Sequence, residues 1–208
     1  MLEVKIFKVG NLLTNCYFVR DSEQDCCILI DPGGEISNFR DEISNMGSFK
    51  YILLTHGHFD HILKAKEYRD ITGAKIVISK LDSIFTNDNH LNLSDRFLRR
   101  SKIKLENFDA DILLDDGDIL PFGKSEIRVL NTPGHTQGSV CYIIDNVIFS
   151  GDTLFCNNCG STRFPTGDVN ELNTSLRKLY LLEGNYKLYP GHAEPSYLDQ
   201  ERGKHINL

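Results

Sequence analysis

The alternation of hydrophobic and polar positions divides the chain into two strand-rich blocks, each accompanied by helical segments. Strand patterns in the first block occupy 4–9, 15–19, 26–30, 51–54 and 74–79. Strand patterns in the second block occupy 112–114, 117–122, 126–130, 139–144, 147–150 and 186–189. Apolar residues recur at helical spacing over 36–46, 62–71 and 169–182. The pattern predicts an α/β (α+β) fold in which two packed sheets carry helices outside them, within one domain spanning 1–208.

Local signals add detail to this outline. The first three strands follow one another closely, which predicts an antiparallel start. Glycines at 73 and 184 close the second and third helices, and Asp145-Asn146 predicts a tight hairpin. The segment 80–108 is polar and mixed, which predicts short helices. Four basic residues that are concentrated in one part of this segment predict a solvated helix face, namely Arg96, Arg99, Arg100 and Lys102.

Composition narrows the class of partner. The chain has 208 residues, a formal net charge of -6, and hydrophobic and charged fractions of 40% and 25%, which are ordinary for a globular protein with a sizeable core. The negative charge and the lack of a basic run argue against a nucleic-acid partner. No stretch has the character of a signal peptide or a transmembrane segment, so we expect a cytoplasmic protein without a membrane partner.

The six cysteines predict free thiols rather than a disulfide framework in a protein of this size and setting. Cys26, Cys27 and Cys141 lie in apolar runs and are expected to be small core residues. Cys156 and Cys159 form a C-x-x-C without a second pair. A further zinc site or a redox pair at these two cysteines is therefore left open.

The chemistry of the chain is concentrated after a short apolar strand, where three histidines and one aspartate fall within six residues. If the chain stays extended there, His56 and His58 point to the same side and can bind one ion. Gly57 permits a backbone bend, which would bring Asp60 and His61 to a second, neighbouring position. Imidazole mixed with carboxylate suits zinc, manganese and iron. The cluster therefore predicts a metal centre with one or two ions.

Three further candidates lie on loops directly after strands. His135 and His192 each follow a Pro-Gly pair, and Asp152 follows Ser150-Gly151 at the end of an apolar run. Loops at strand ends are where a scaffold places functional side chains. Each residue alone would be ordinary, but their recurrence beside the histidine cluster predicts that they are ligands too.

The motifs that carry these candidates closely resemble those of the metallo-β-lactamase superfamily and, within it, the glyoxalase II-like metal-dependent hydrolases. The resemblance covers nearly the whole chain. It rests on Asn15-Cys16-Tyr17, Ile30-Asp31-Pro32-Gly33-Gly34, Thr55-His56-Gly57-His58-Phe59-Asp60-His61, Thr132-Pro133-Gly134-His135-Thr136-Gln137-Gly138-Ser139, Ser150-Gly151-Asp152-Thr153-Leu154-Phe155 and Tyr189-Pro190-Gly191-His192.

This resemblance implies an αββα sandwich, the metallo-β-lactamase fold, with two divalent metal ions at one edge of two mixed sheets. The ligands it implies are His56, His58 and His135 for the first ion and Asp60, His61 and His192 for the second. Asp152 would bridge the two ions, and Asp60 and Asp152 would be the catalytic residues. Zinc is the first choice of metal, and iron or manganese fits the same donors.

The implied reaction is hydrolysis of a small-molecule substrate. Two metals about 3.5 to 4 Å apart can share a water whose pKa falls from 15.7 towards about 7. A thioester then needs little else, because its thiolate leaves without a strong general acid. We therefore expect a metal-dependent thioesterase similar to the hydroxyacylglutathione hydrolases, acting on a small acyl thioester or ester of the S-lactoylglutathione type. An aspartate at position 152 argues against antibiotic hydrolysis as the native role.

Two departures from the family concern the substrate. The longer glyoxalase II enzymes carry a C-terminal helical extension that helps to bind glutathione, whereas this sequence has sixteen residues after His192. The segment 159–165 resembles a Gly-Arg-Thr-Asp stretch of the short bacterial form, but Ser161 stands where Arg is usual and Arg163 where Asp is usual. Both residues are candidate substrate contacts, and Arg163 could instead form a surface ion pair. Glutathione specificity and the oligomeric state stay open.

Two other functions fit the same motifs. An iron-dependent persulfide (sulfur) dioxygenase resembles the same scaffold and would use one iron on His56, His135 and Asp152. A non-catalytic metal-binding protein on the same fold is the second alternative.

Overall fold

Two six-stranded β-sheets pack face to face in the computed structural model, which describes residues 2–44 and 46–205. The first sheet has the order β1 (Leu2–Val9), β2 (Thr14–Asp21), β3 (Cys26–Ile30), β4 (Ser48–Leu53), β5 (Lys75–Ser79) and β6 (Ile112–Leu114). The second has the order β14 (Ser196–Tyr197), β13 (Lys187–Pro190), β10 (Val147–Gly151), β9 (Val140–Ile144), β8 (Ser125–Asn131) and β7 (Ile119–Phe122). A small ribbon consists of β11 (Leu154–Phe155) and β12 (Asn158–Cys159).

Each sheet combines antiparallel and parallel strand pairs, and the edge strand β14 is antiparallel to β13. Strands β1 to β3 are antiparallel, as the close spacing predicted, whereas β3 to β6 are parallel. In the second sheet β7 to β10 are antiparallel, and β13 pairs in parallel with β10. The predicted hairpin joins β9 to β10, with Asp145 in the left-handed region at φ 51°. Because parallel strands end at the same edge, the loops after β3 and β4, and those after β10 and β13, are neighbours.

Short helices accompany the two sheets, and the longest of them pack on the outer faces of the sheets. The helices are α1 (Phe39–Ile43), α2 (Phe59–Ile62), α3 (Ala65–Thr72), α4 (Ser94–Phe97), α5 (Val169–Tyr180) and α6 (Leu198–Glu201), with a 3₁₀ helix at Ser83–Thr86. Helix α5 begins at a side-chain cap, because Asp168 accepts hydrogen bonds from the amides of Asn170 and Glu171. Gly73 follows α3 in the left-handed conformation at φ 73°, as predicted for a terminating glycine.

The three predicted helices differ from those observed. The segment 169–182 is helical as α5 only to Tyr180, and Gly184 lies three residues beyond the C-cap Leu181, so it does not close this helix. The segment 36–46 is helical only over α1, because Asn38 adopts a left-handed φ of 57° and delays its start; position 45 lies outside the described residues. The segment 62–71 belongs to two helices. The amide of Lys64 donates to the carbonyl of Pro32 at 2.9 Å instead of continuing α2, so the chain starts again as α3.

Alternating side chains of the strands separate three apolar layers. The layer between the sheets contains mostly aromatic and β-branched residues, including Tyr17, Val19, Ile28, Ile30, Tyr142, Phe149 and Tyr189. The outer face of the first sheet packs on α1 and α3 through Phe18, Leu29, Phe39 and Tyr68. The outer face of the second packs on α5 through Ile143, Ile148, Leu172, Leu176 and Leu179. The predicted αββα sandwich is therefore confirmed.

Two smaller predictions concern the cysteines and the membrane. All six cysteines have free thiols, and Cys27 and Cys141 are buried while Cys26 is half-buried. Among the helices of residues 2–44 and 46–205, none is long and apolar enough to cross a membrane.

Phe149 provides a test of the packing between the sheets. Its ring is fully buried and lies 5.2 Å from the ring of Tyr17 and 5.3 Å from that of Tyr189. We expect Phe149→Ala to lower the free energy of unfolding by about 3–5 kcal/mol, because it leaves a cavity in a closed layer. Denaturant titration at fixed metal content measures this change. Ile119→Ala is the control, since Ile119 is 53% exposed, and it should change stability by less than about 0.5 kcal/mol.

Candidate metal centre

The seven predicted ligands come together at one edge of the sandwich, where the loops after β4, β8, β10 and β13 meet. The two sheets are joined at this edge by a hydrogen bond of 2.9 Å from the amide of Val140 to the carbonyl of Thr55. The residues brought together are His56, His58, Asp60, His61, His135, Asp152 and His192.

His56, His58 and His135 form the first cluster. Their rings lie at right angles to one another within about ten degrees, with interplanar angles of 89°, 81° and 87° and centroid separations of 4.7–4.8 Å. His58 Nδ1 and His135 Nε2 are only 3.0 Å apart. All three side chains are buried. Three mutually perpendicular rings with facing nitrogens provide three corners of the tetrahedral arrangement that zinc favours.

Asp60, His61 and His192 form the second cluster, beside the first. The Nε2 atoms of both histidines face Asp60 Oδ2, at 3.5 Å for His61 and 3.3 Å for His192. Thr14 donates a hydrogen bond of 2.9 Å to the same carboxylate oxygen and so fixes its orientation. His61 is buried, and His192 is part-exposed. This cluster therefore lies on the solvent side of the centre.

Asp152 lies between the two clusters. Its Oδ2 atom is 3.5 Å from the Nε2 atoms of both His135 and His192, and its Oδ1 atom is 3.4 Å from His61 Nε2. One carboxylate therefore reaches ring nitrogens from each cluster. A bridging role for Asp152 remains a prediction, and its position suits that role.

Unpartnered polar atoms indicate that the site fits divalent cations. Within the described part of the chain, the buried atoms His56 Nε2, His61 Nε2 and Asp152 Oδ1 have no hydrogen-bond partner. Leaving such atoms unpaired is costly, and a cation among them removes the cost. Imidazole and carboxylate donors suit zinc, iron and manganese. The donor set thus agrees with the metals predicted from the sequence.

Asp31 orients His61 and was not predicted as a functional residue. It stands at the end of β3 with φ 50°, and its Oδ2 atom accepts a hydrogen bond of 2.9 Å from His61 Nδ1. Thr55 also donates to it, from its amide at 2.8 Å and its hydroxyl at 2.6 Å. These bonds leave His61 Nε2 directed at the centre. Hydrogen bonds of this kind, from a carboxylate to the other ring nitrogen, commonly orient metal-binding histidines. The available signal was a carboxylate directly after a buried strand, as at Asp152.

Asp82 is a second residue that the sequence analysis missed. Its buried carboxylate accepts hydrogen bonds from the amides of Gly57 at 2.9 Å and Gly138 at 2.8 Å, and from the Thr136 hydroxyl at 2.7 Å. It thereby ties the loop of His56 and His58 to the loop of His135. Burial raises the pKa of Asp82 to about 6 despite these donors. Nothing in its polar sequence surroundings distinguishes it from a surface aspartate.

Two glycines allow backbone and ligands to approach closely. A Cβ at Gly57 would lie 2.2 Å from Phe85 Cβ, so glycine is needed there for space, whereas the sequence suggested a backbone bend. A Cβ at Gly191 would lie 2.2 Å from Asp152 Oδ1.

The loop after β13 is held by Asn15, whose side-chain amide donates to the carbonyls of Pro190 and Ala193, both at 2.9 Å.

Of the two predicted substrate contacts, Ser161 touches a candidate ligand through its main chain, and Arg163 follows it on the same loop. The carbonyl of Ser161 accepts a hydrogen bond of 2.7 Å from His135 Nδ1, so its main chain supports a candidate ligand. The Ser161 hydroxyl accepts from the amide of Arg163 at 3.3 Å, and both side chains are exposed. Among the described residues Arg163 forms no ion pair, which leaves its guanidinium open to solvent. Substrate binding by either residue remains a prediction.

Charges within the centre divide its histidines into two kinds. Burial, followed by the neighbouring imidazoles, holds the pKa of His56 and of His58 well below the usual range, so both rings are neutral donors. Burial also disfavours the charged form of His61, but the carboxylates of Asp60 and Asp152 outweigh it and raise its pKa to about 10. Without a cation, His61 is therefore protonated at neutral pH.

An αββα sandwich with clustered histidines and aspartates at one edge is the arrangement of a class of metal-dependent hydrolases. The chain belongs to that class, since the model of the metallo-beta-lactamase superfamily matches residues 9–192. The hydroxyacylglutathione hydrolase GloC of Haemophilus influenzae is 32% identical over 97% of this chain and 95% of its own. The sequence resemblance to this superfamily is thus confirmed.

Solved structures agree with this assignment. The structure of the BLEG-1 B3 metallo-beta-lactamase matches with a TM-score of 0.88 at 30% identity, covering 96% of each chain. TTHA1623 in a di-iron-bound form matches with a TM-score of 0.83 at 27% identity, covering 99% of this chain and 100% of that one. The fold is common to proteins whose names indicate different substrates.

Proton release should accompany metal binding. A cation at His61 Nε2 must displace the proton that Asp60 and Asp152 stabilise there, so zinc titration near pH 7 should release about one proton per chain or more. Calorimetric titration in two buffers of different ionisation enthalpy measures this number. Release should fall as the pH rises towards the His61 pKa of about 10, because less of the proton is then bound. Zinc binding at pH 7 without proton release would contradict the arrangement.

Asp82→Asn tests the link between the two loops. An asparagine offers one acceptor oxygen and places an amide group against a backbone N–H, so we expect a loss of about 1–3 kcal/mol of stability. Metal affinity should fall by about 10–100-fold, as for other outer contacts of metal ligands. Asp70→Asn on the surface of α3 is the control and should change neither. Equal metal affinities of the two variants, measured with a competing chelator, would rule out the link.

Proposed function

We propose that this protein is a binuclear metal-dependent hydrolase that cleaves small acyl thioesters or esters, in the manner of the glyoxalase II-like enzymes. The observation that carries the proposal is the position of Asp152, whose two oxygens lie 3.4–3.5 Å from ring nitrogens of both clusters. A single-ion site would leave half of this assembly without a purpose. Two ions use all seven side chains.

The chain's own residues have three tasks in this reaction. His56, His58 and His135 would hold one ion, Asp60, His61 and His192 would hold the other, and Asp152 would contact both. When bound, two divalent ions would supply hydroxide at neutral pH and would polarise the carbonyl group of the substrate. Asp60 stays ionised, because His61 and His192 outweigh its burial and hold its pKa well below the usual range. The catalytic part we assign to Asp60 and Asp152 is therefore to hold the ions and to orient the water that yields this hydroxide.

The relatives support the substrate class without defining it. GloC is named for hydroxyacylglutathione, a thioester, and its match extends over nearly the whole chain. Zinc remains the first choice of metal, and the di-iron form of TTHA1623 makes iron the second. BLEG-1 is named as a lactamase at 30% identity, so a β-lactam belongs among the test compounds although the sequence argued against that native role.

The setting and partners we propose follow from charge and thiols. The net charge of -6 and six free thiols suit a cytoplasmic enzyme with a small-molecule substrate and no nucleic-acid or membrane partner.

The persulfide dioxygenase alternative would use one iron on His56, His135 and Asp152. The assembly of Asp60, His61 and His192 beside them favours the binuclear hydrolase.

The test combines metal analysis with a substrate panel. Zinc- or iron-loaded protein is assayed with S-lactoylglutathione, S-acetyl thioesters, p-nitrophenyl acetate and a β-lactam, and oxygen uptake is followed with glutathione persulfide. We expect thioester or ester hydrolysis with two ions per chain. Asp152→Asn and Asp60→Asn should each lower kcat/KM by more than about 100-fold, since losing a ligand costs more than losing an outer contact. Asp70→Asn is the matched surface control.

Two outcomes would reject the proposal in favour of the alternatives. Oxygen uptake with one iron per chain, and no hydrolysis, would indicate the persulfide dioxygenase. A complete lack of turnover, together with a folded Asp60→Ala protein that behaves like the original in every assay, would indicate a non-catalytic metal-binding protein.

A further inference from the structure

A pocket of about 240 Å³ opens beside the metal centre, next to Asp60. Its walls are mostly apolar side chains and glycine backbone, and Asp60 is the one charged residue among the described residues that line it. The apolar side chains of interest are Leu12, Phe59, Leu63, Phe97 and Ile103. No step of the proposed hydrolysis uses them.

Three of these side chains are unusually exposed. Leu12 on the loop between β1 and β2 is 46% exposed, Phe97 at the end of α4 is 44% exposed, and Ile103 is 49% exposed. Single exposed apolar residues are common on proteins. Here three of them, from distant parts of the sequence, line one concave pocket, which is the usual composition of a ligand-binding site.

The wall formed by Phe97 is held in place from both sides. Phe59 stacks on it with ring centroids 5.5 Å apart and an interplanar angle of 21°. The Arg96 guanidinium lies 5.4 Å from the Phe97 ring and 5.9 Å from that of Phe164. Phe164 in turn lies 5.6 Å from the His58 ring. A continuous series of ring and guanidinium contacts therefore connects Phe97 to the first cluster. Phe97 is packed against Phe59 and Arg96 although its side chain is partly exposed.

The position of the pocket defines which part of a substrate can enter it. Asp60, a candidate ligand and catalytic residue, is part of its lining, so a group in the pocket lies beside the metal centre. Apart from Asp60, the described lining offers few polar groups to satisfy a charged or amide-rich group such as the glutamyl part of glutathione. The pocket suits an apolar chain.

We propose that this pocket binds an unbranched apolar chain of the substrate, directly attached to the scissile thioester or ester group. This inference rests on the proposed hydrolase function. A cavity of about 150 Å³ lined by apolar residues accommodates benzene, so this pocket has room for a chain of about six to ten heavy atoms. The chain belongs either to the acyl group or to the leaving thiol, and the two sources are separable by experiment.

The kinetic test uses two matched series of substrates with the metal-loaded protein. One series varies the acyl group of N-acetylcysteamine thioesters from acetyl to octanoyl, and the other varies the thiol of S-acetyl thioesters from ethanethiol to octanethiol. In the series whose chain enters the pocket, kcat/KM should rise by up to about fourfold per methylene. The rise should level off at hexyl to octyl, when the pocket is full.

Variants assign this dependence to the pocket. Ile103→Trp fills the pocket. In the series whose chain enters the pocket, it should lower the ratio of kcat/KM for the longest chain to kcat/KM for the shortest chain by about tenfold or more. Leu12→Trp, at another residue of the lining, is the second variant should the first fail to fold. Ile119→Trp is the matched control, because Ile119 is 53% exposed on β7 and lies outside the pocket. It should leave the ratio unchanged.

Binding of the product carboxylates separates this inference from the proposed function. Dissociation constants of acetate, butyrate, hexanoate and octanoate are measured calorimetrically with the same proteins, and need no turnover. Tighter binding with length that is lost in Ile103→Trp supports the pocket even if no thioester is hydrolysed. Flat dependence on length in both kinetic series and in binding would overturn it. Equal ratios for Ile103→Trp and Ile119→Trp would overturn it as well.

Discussion

Buried ring nitrogens that face one another are the constraint on which the rest of this structure depends. His58 Nδ1 and His135 Nε2 lie 3.0 Å apart with His56 beside them. The buried atoms His56 Nε2, His61 Nε2 and Asp152 Oδ1 have no hydrogen-bond partner within the described part of the chain, and a cation would satisfy them. Asp31 and Asp82 hold the surrounding loops through six hydrogen bonds to backbone, hydroxyl and imidazole groups. The donors are therefore arranged before a cation arrives, which lowers the cost of binding it.

The sandwich makes this arrangement possible and also shapes what can reach it. Parallel strands deliver the ends of β3 and β4, and of β10 and β13, to one edge, where the Tyr142 hydroxyl donates to the carbonyl of Leu54 across the two sheets at 2.8 Å. Leu12, Phe97 and Asp60 line one pocket beside the centre. A charged centre thus adjoins an apolar wall, which is a suitable environment for a reactive acyl group linked to an apolar chain.

Much of this could be predicted from the sequence, because the signals were local. Histidines after an apolar strand, and Pro-Gly-His loops at strand ends, indicated the residues that the structure brings together. The missed features depend on distant contacts. Asp82 acts through amides 25 and 56 positions away, and the end of α2 is set by the carbonyl of Pro32. Strands of two residues each, such as the paired β11 and β12, are too short to produce a periodic pattern in the sequence.

The central claim is that one carboxylate serves two ions. Anomalous diffraction from crystals of the metal-loaded protein tests it most directly. We predict two peaks, one within about 2.0–2.3 Å of donor atoms of His56, His58 and His135 and one equally close to Asp60, His61 and His192, with Asp152 in contact with both. A single peak held by His56, His135 and Asp152, with the second cluster empty at saturating metal, would contradict the claim.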